Sequence, residues 1–225
     1  MFRYGEHERQ SIISRDPSKI PVVKGTTTVG LRVKDGVVLA ADKRATAGYY
    51  IAHKKVRKIA RIHDKIALTM SGVVADAQAI ADILRVELKY YELFHKATIT
   101  VKAAATLASN ILFSSRILPY VVQLIIAGYD TQPRVYALDL FGTVTEEKYI
   151  ATGSGSPIAI GILERRYNEN MDIVDAAKLA VMSVNAALQR DVATGEGIDL
   201  VVITVKEYKE FSEDEVKKLM AETKT

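Results

Sequence analysis

The sequence predicts an α+β fold in which two antiparallel sheets pack face to face and carry helices on their outer sides, a four-layer αββα sandwich. Strand-like and helix-like patterns come in blocks, in the order strands, two helices, strands, two helices, strand. Such blocks are typical of sheets covered by helices, whereas a parallel sheet requires regular alternation of strands and helices. The sequence contains no internal repeat that would indicate a solenoid.

The first block of strands is predicted from hydrophobic alternation. Apolar or threonine side chains alternate with polar or small ones before Asp35-Gly36, and an apolar run follows this dipeptide. Alternation on both sides of an Asp-Gly step is typical of a β-hairpin. The strands predicted in this block are residues 27–34, 37–41, 56–62 and 66–70.

The helices are predicted from apolar residues that recur at intervals of three or four. Ser212 and Glu215 match a capping box, so a short exposed helix is expected to begin there. The other predicted helices are residues 73–94, 101–113, 157–167 and 173–188. The remaining predicted strands are residues 121–129, 134–139, 144–150 and 200–205.

The composition excludes several classes of protein. A chain of 225 residues with 48% hydrophobic residues can bury one substantial core. The absence of cysteine excludes disulfides, thiolate metal sites and cysteine nucleophiles. The net charge of +4 is too small and too scattered to indicate nucleic-acid binding, and no apolar run or signal segment predicts membrane association or export. A soluble, cytoplasmic protein is therefore expected.

The first 25 residues differ from the rest. They mix charges, serines and the prolines Pro17 and Pro21 without a helical or strand period. On composition alone an ordinary irregular terminus is favoured over a removable propeptide.

Several separated motifs follow one another along the chain: Lys24-Gly25-Thr26-Thr27-Thr28-Val29-Gly30, Ala41-Asp42-Lys43-Arg44-Ala45-Thr46, Ser71-Gly72, Gly153-Ser154-Gly155, Arg190-Asp191 and Gly195-Glu196-Gly197-Ile198-Asp199. In this order they resemble the β subunits of the 20S proteasome, of archaeal type, which are threonine peptidases of the N-terminal nucleophile hydrolase superfamily. The resemblance extends from Thr26 to Val205. It implies a propeptide of residues 1–25, removed autocatalytically, and a single catalytic domain of residues 26–225 with a short tail from about residue 206.

Thr26 is the nucleophile that this resemblance implies. A threonine hydroxyl needs a neighbouring base at neutral pH, and the α-amino group, with a reference pKa of about 7.7 to 8.0, is the base that a residue carries on its own backbone. Cleavage between Gly25 and Thr26 would create nucleophile and base together. The glycine would let the backbone approach the attacking hydroxyl.

Lys58 and Asp42 are expected to form a buried ion pair beside this hydroxyl. From the pattern alone, Lys58 is an exposed strand lysine and Asp42 a turn residue at a strand end. By resemblance Lys58 is the catalytic lysine, directed between the sheets, and Asp42 is the anionic partner that a buried cation requires.

The resemblance implies four further site residues. The backbone N–H of Gly72 would stabilise the oxyanion of the tetrahedral intermediate. Ser154, Asp191 and Thr194 would surround the threonine amine. From the pattern alone Gly72 and Asp191 are turn residues. Thr194 stands where the family usually has serine, and its additional methyl group makes the side chain stiffer.

The resemblance also places a pocket for the residue before the scissile bond. Because the side chains expected there include no acid or base, we expect a preference for apolar or aromatic residues. The predicted pocket residues are Ala45, Thr46, Val56, Ala60, Met70, Gly72, Val74 and Gln78.

The implied assembly consists of homo-oligomeric heptameric β rings stacked with rings of proteasome α subunits. Its substrates would be unfolded polypeptides, delivered through the α rings by an ATP-dependent unfoldase. No cofactor or metal is expected, because the histidines are scattered and Gly153-Ser154-Gly155 is too short for a phosphate loop. A non-cleaving structural subunit of the same ring is the main alternative, and an α subunit, the shorter bacterial threonine protease and a binding module are weaker ones.

Overall fold

The computed structural model describes residues 25–47 and 50–222, so most of the predicted propeptide lies outside the described residues. The described residues form twelve strands and five helices. The strands are β1 Thr28–Val33, β2 Gly36–Asp42, β3 Ala45–Ala47, β4 Tyr50–His53, β5 Ile59–His63, β6 Ile66–Gly72, β7 Val122–Tyr129, β8 Pro133–Leu138, β9 Val144–Glu146, β10 Tyr149–Thr152, β11 Ile198–Thr204 and β12 Tyr208–Glu210. The helices are α1 Val74–His95, α2 Val101–Ser114, α3 Ser156–Arg166, α4 Ile173–Leu188 and α5 Glu213–Glu222.

Two five-stranded antiparallel sheets form the centre of the molecule. The first sheet has the strand order β10-β1-β2-β11-β12, and the second has the order β5-β6-β7-β8-β9. Strands β3 and β4 form a separate two-stranded ribbon. The predicted hairpin at Asp35-Gly36 is confirmed, since β1 pairs with β2 on either side of it.

The four layers arise because each sheet is buried on both faces. One apolar cluster lies between the first sheet and helices α3, α4 and α5, and a second lies between the second sheet and helices α1 and α2. A third, smaller cluster joins the sheets and includes Leu39, Ile125 and Val135. Gly30 belongs to this contact, because a Cβ there would lie 2.8 Å from Ile125 Cγ2. The predicted four-layer αββα fold is thus confirmed.

Hydroxyl groups also join the two sheets. Thr28 Oγ1 of the first sheet lies 2.9 Å from Thr69 Oγ1 of the second and 2.8 Å from Thr152 Oγ1. Ser71 Oγ donates to the Gln123 carbonyl at 3.0 Å and lies 3.0 Å from Thr152 Oγ1. These buried hydroxyls satisfy one another where water does not reach, as buried polar groups require.

One predicted strand is wrong. Residues 144–150 were expected to form a single strand, but β9 pairs with β8 in the second sheet and β10 pairs with β1 in the first. The chain crosses between the sheets at residues 147–148. Both segments alternate too briefly for the sequence to mark the crossing.

The short strands β3, β4 and β12 were not predicted, and β5 begins at Ile59 rather than at Val56. The capping box is confirmed, because Ser212 N donates to Glu215 Oε2 at 2.8 Å and Glu215 N donates to Ser212 Oγ at 3.3 Å. Within the described part of the chain, we find no helix that combines the length and the apolar character needed to cross a membrane.

Candidate active site

Thr26 lies two residues before β1, at the end of the first sheet, and is 5% exposed. Its hydroxyl donates to the carbonyl oxygen of Gly25. Lys58 Nζ lies 2.9 Å from Thr26 Oγ1 and 3.1 Å from the same Gly25 carbonyl. One ammonium group therefore contacts both the predicted nucleophile and the carbonyl of the predicted cleavage point.

Lys58 and Asp42 form the ion pair expected from the resemblance. Lys58 immediately precedes β5 and is 2% exposed, whereas the neighbouring Arg57 side chain is 81% exposed, so the two side chains point in opposite directions. Asp42 ends β2 with its side chain fully buried, and Lys58 Nζ lies 2.7 Å from Asp42 Oδ1. The same carboxylate accepts from the backbone amides of Thr27 at 3.0 Å, Gly195 at 2.9 Å and Arg44 at 3.1 Å.

Burial pushes both members of this pair toward their neutral forms. It lowers the pKa of the Lys58 ammonium and raises the pKa of the Asp42 carboxyl. The opposite charge of each partner acts against burial, and at Asp42 the amides of Thr27 and Gly195 do so too. A lysine whose proton is less tightly held can help a neighbouring hydroxyl to act as a nucleophile.

The predicted residues Ser154, Asp191 and Thr194 also come together. The hydroxyls of Ser154 and Thr194 both donate to Asp191 Oδ2. Thr194 Oγ1 lies 2.7 Å from Thr27 Oγ1, which connects this cluster to the residue after Thr26. Sequence reasoning gave Thr27 no role in the site, although a polar residue in phase with the apolar positions Val29, Leu31 and Val33 is a signal that could have found it.

Glycines bring the loop after β10 against the start of β1. A Cβ at Gly153 would lie 2.1 Å from the Thr26 carbonyl oxygen, and one at Gly155 would lie 2.1 Å from Thr27 Oγ1. Gly25 has a φ of +151°, and a Cβ there would lie 2.3 Å from Thr46 Oγ1. Both the close approach and the backbone conformation therefore require glycine at residue 25.

Gly72 ends β6 with a φ of +107°. A Cβ there would lie 2.2 Å from the carbonyl oxygen of Val121. The turn into α1 therefore requires glycine for steric reasons, whether or not its amide binds substrate. Its role as an oxyanion donor remains a prediction.

Arg44 secures the loop that carries Asp191 and Thr194. Its guanidinium donates to the Val192 carbonyl at 2.7 Å and contacts Glu196 at 3.3 Å. Sequence reasoning gave Arg44 no role, because its partners are about 150 residues away in the chain.

Part of the predicted substrate pocket lies in a cavity of about 400 Å³ between β5, β6 and α1. Ala60, Met70 and Gln78 line it, whereas the other predicted pocket residues are not among its lining. Five charged residues that sequence reasoning missed also line it, and Arg57 contacts Glu210 at 3.5 Å while Arg85 pairs with Asp82. These charged residues are Arg57, Arg61, Asp82, Arg85 and Glu210.

Comparisons with known proteins show the family of this chain. The family model described as "Proteasome subunit" matches residues 22–203. The chain is 58% identical to "Proteasome subunit beta 2" of Ignicoccus hospitalis, over 85% of this chain and 90% of that protein. It is 55% identical to "Proteasome subunit beta 2" of Aeropyrum pernix, over 84% and 86% of the two chains, and 51% identical to "Proteasome subunit beta" of Methanopyrus kandleri, over 89% and 97%. The chain therefore belongs to the proteasome subunit family, and within it to the β subunits.

Proposed function

We propose that the chain is a threonine endopeptidase whose nucleophile is the hydroxyl of Thr26. The observation that carries this proposal is the position of Lys58 Nζ, which lies 2.9 Å from Thr26 Oγ1 and 2.7 Å from Asp42 Oδ1. A buried lysine held by one carboxylate and directed at a hydroxyl favours the developing alkoxide. Acyl transfer to Thr26 and hydrolysis of the resulting ester by water would complete one round of peptide cleavage.

Removal of residues 1–25 is the step that would make the chain active. While Gly25 is attached, the nitrogen of Thr26 is an amide and has no basic lone pair. Cleavage releases an α-amine, which can accept the proton of the Thr26 hydroxyl. Self-cleavage is supported by two contacts of the Gly25 carbonyl oxygen, one with the hydroxyl of Thr26 and one with Lys58 Nζ at 3.1 Å. Attack by Thr26 Oγ1 on this carbonyl would form an ester and release the Thr26 nitrogen, and water would then release the propeptide.

We further propose that the chain works inside heptameric β rings stacked with α-subunit rings in the cytoplasm. Unfolded polypeptides would be supplied through the α rings by an ATP-dependent unfoldase.

Apolar or aromatic residues before the scissile bond are expected to be preferred. Ala60 and Met70 support this preference. The five charged residues of the same cavity depart from the expected pocket without acid or base, and four of them form the pairs Arg57–Glu210 and Arg85–Asp82. Faster cleavage of acidic than of leucine- or tyrosine-terminated fluorogenic peptides would contradict it.

The proposed function is tested by the intact mass of the chain taken from particles assembled with its α subunits. Wild-type chains should begin at Thr26 and hydrolyse peptides. Thr26→Ala should retain residues 1–25 and be inactive, whereas Thr26→Ser should be processed and retain much of the activity. Peptide hydrolysis by particles in which the peptide bond before Thr26 is intact would refute the mechanism.

A non-cleaving structural subunit is the alternative. It would keep its full length in mature rings and show no hydrolysis. The combination of Thr26, Asp42 and Lys58 in one hydrogen-bonded group favours the active form, because a structural subunit gains little from a buried ion pair whose desolvation cost is high.

A further inference from the structure

Thr27, the residue after the proposed nucleophile, contacts Asp42 directly and is connected to Asp191 through Thr194. Its amide donates to Asp42 Oδ1 at 3.0 Å, and its carbonyl oxygen accepts from the Asp42 amide at 3.1 Å. Its hydroxyl lies 2.7 Å from Thr194 Oγ1. The residue is fully buried, so bulk water cannot replace a lost partner.

The direction of these hydrogen bonds follows from the number of hydrogens available. The Thr194 hydroxyl has a single hydrogen and donates it to Asp191 Oδ2. Thr194 Oγ1 is therefore the acceptor toward Thr27, and the Thr27 hydroxyl is the donor. The resulting chain runs from Thr27 through Thr194 to Asp191, and Ser154 donates to the same carboxylate oxygen.

The adjacent loop keeps space for this hydroxyl. An ideal Cβ at Gly155 would lie 2.1 Å from Thr27 Oγ1 and 3.3 Å from Asp191 Oδ2. Any larger residue at 155 would occupy the space of the Thr27 hydroxyl. The hydroxyl can therefore keep its position only if residue 155 is glycine.

We propose that Thr27 is a positioning residue for the peptidase reaction. Its backbone hydrogen bonds fix Asp42, the partner of Lys58. Its hydroxyl bonds to Thr194 and so fixes the cluster of Ser154 and Asp191. Thr26, which immediately precedes Thr27 and whose hydroxyl contacts Lys58, is thereby held in position for the reaction. This role rests on the proposed function, because it has an effect only if Thr26 is the nucleophile.

The test compares Thr27→Val, Thr27→Ser and wild type in full-length chains assembled with α subunits. Valine keeps the shape and the β-branch but has no hydroxyl, whereas serine keeps the hydroxyl. Thr28→Val is the matched control, because it removes a buried hydroxyl from the next residue of the chain, one that bonds to Thr69 and Thr152 instead. Melting temperature, processed fraction by intact mass, and kcat and KM per processed site are measured.

For Thr27→Val we expect a kcat about tenfold lower or a block in processing, with KM within about twofold of wild type. Thr27→Ser should restore processing and most of kcat. Thr28→Val should lower the melting temperature without lowering kcat. The proposal is overturned if Thr27→Val keeps the wild-type kcat, if Thr27→Ser is equally impaired, or if Thr28→Val lowers kcat as much. Inactivity of the wild-type particle would instead show that the proposed function, and the positioning role with it, is wrong.

Discussion

Lys58 Nζ lies 2.9 Å from the hydroxyl oxygen of Thr26, although 32 residues separate them in the chain. The contact joins the two sheets, since Thr26 precedes the first strand of one and Lys58 precedes the edge strand of the other. Asp42, at the end of β2, holds the lysine in this position. Packing of the two sheets thus places the cation beside the hydroxyl, and four predictions follow from this packing and its surroundings.

Replacement of Lys58 by methionine should abolish peptide hydrolysis while rings still assemble. Methionine fills much of the space but cannot donate to Thr26, so we expect kcat to fall by about a hundredfold or more. Lys89→Met is the control, because Lys89 is a 62% exposed lysine whose pair with Glu92 contributes little. Fluorogenic peptide assays on assembled particles measure the kcat of both variants, Lys58→Met and Lys89→Met. Wild-type activity in Lys58→Met would remove Lys58 from the mechanism.

The same variant should be destabilised in a pH-dependent way. Burial already raises the pKa of Asp42, and loss of the lysine's charge raises it further. A carboxyl whose pKa is higher in the folded than in the unfolded state takes up protons on folding. The contribution of the Asp42 carboxyl to the free energy of unfolding is therefore fully present below pH 3.8. It is lost as pH rises through the pKa of the folded state. The deficit in melting temperature relative to wild type should therefore grow as pH rises above 3.8, the ordinary pKa of the carboxyl. A deficit that is constant over this range would contradict the assignment.

Gly25→Ala should slow cleavage of the bond before Thr26. The added methyl group would meet Thr46 Oγ1, and a φ of +151° is unfavourable for alanine, so the scissile carbonyl must shift. Gly161→Ala is the matched control, since a Cβ at this exposed position of α3 meets nothing within 4 Å. The control should process normally and gain roughly 0.5–1 kcal/mol of stability. Time courses of processing by mass spectrometry would distinguish the two, and equal rates would show that Gly25 is not constrained.

Tyr167→Phe should reduce the loss of stability at alkaline pH. Burial raises the pKa of Tyr167 to about 12 from 10.0, and its hydroxyl donates to the Arg32 carbonyl at 2.7 Å. Between these two values the unfolded chain ionises first, so the contribution of Tyr167 is complete below pH 10 and declines as pH rises toward 12. Melting temperatures of wild type and variant should therefore converge between pH 10 and pH 12. A parallel decline in both proteins would argue against this contribution.

The long elements could be predicted from the sequence, because their periodicity reports burial. The alternation before Asp35-Gly36 and the apolar spacing of the four longer helices matched the structure closely. The strands that were missed, β3, β4 and β12, have three or four residues each and contain no buried residue, so they carry no hydrophobic pattern. The crossing between β9 and β10 was missed because both strands are too short for their alternation to mark it.

The site was predictable only in part. Periodicity alone would have made Lys58 an exposed strand residue, and its burial depends on Asp42 and on the opposing sheet, which no local pattern contains. Resemblance to a family supplied the site residues that were named. Thr27, Arg44 and the charged wall of the cavity were missed, because their importance lies in contacts with residues distant in the chain.

The pairing of β1 with β10 also sets when the chemistry can begin. Thr26 and Lys58 leave the ribosome early, but β10 and the glycine turn behind it are synthesised more than a hundred residues after Thr26 and about ninety after Lys58. Gly195, whose amide completes the hydrogen bonds of Asp42, emerges later still. If Thr26 is the nucleophile, as proposed, a nascent chain has an incomplete site through most of translation, and self-cleavage must wait until nearly the whole polypeptide has been made.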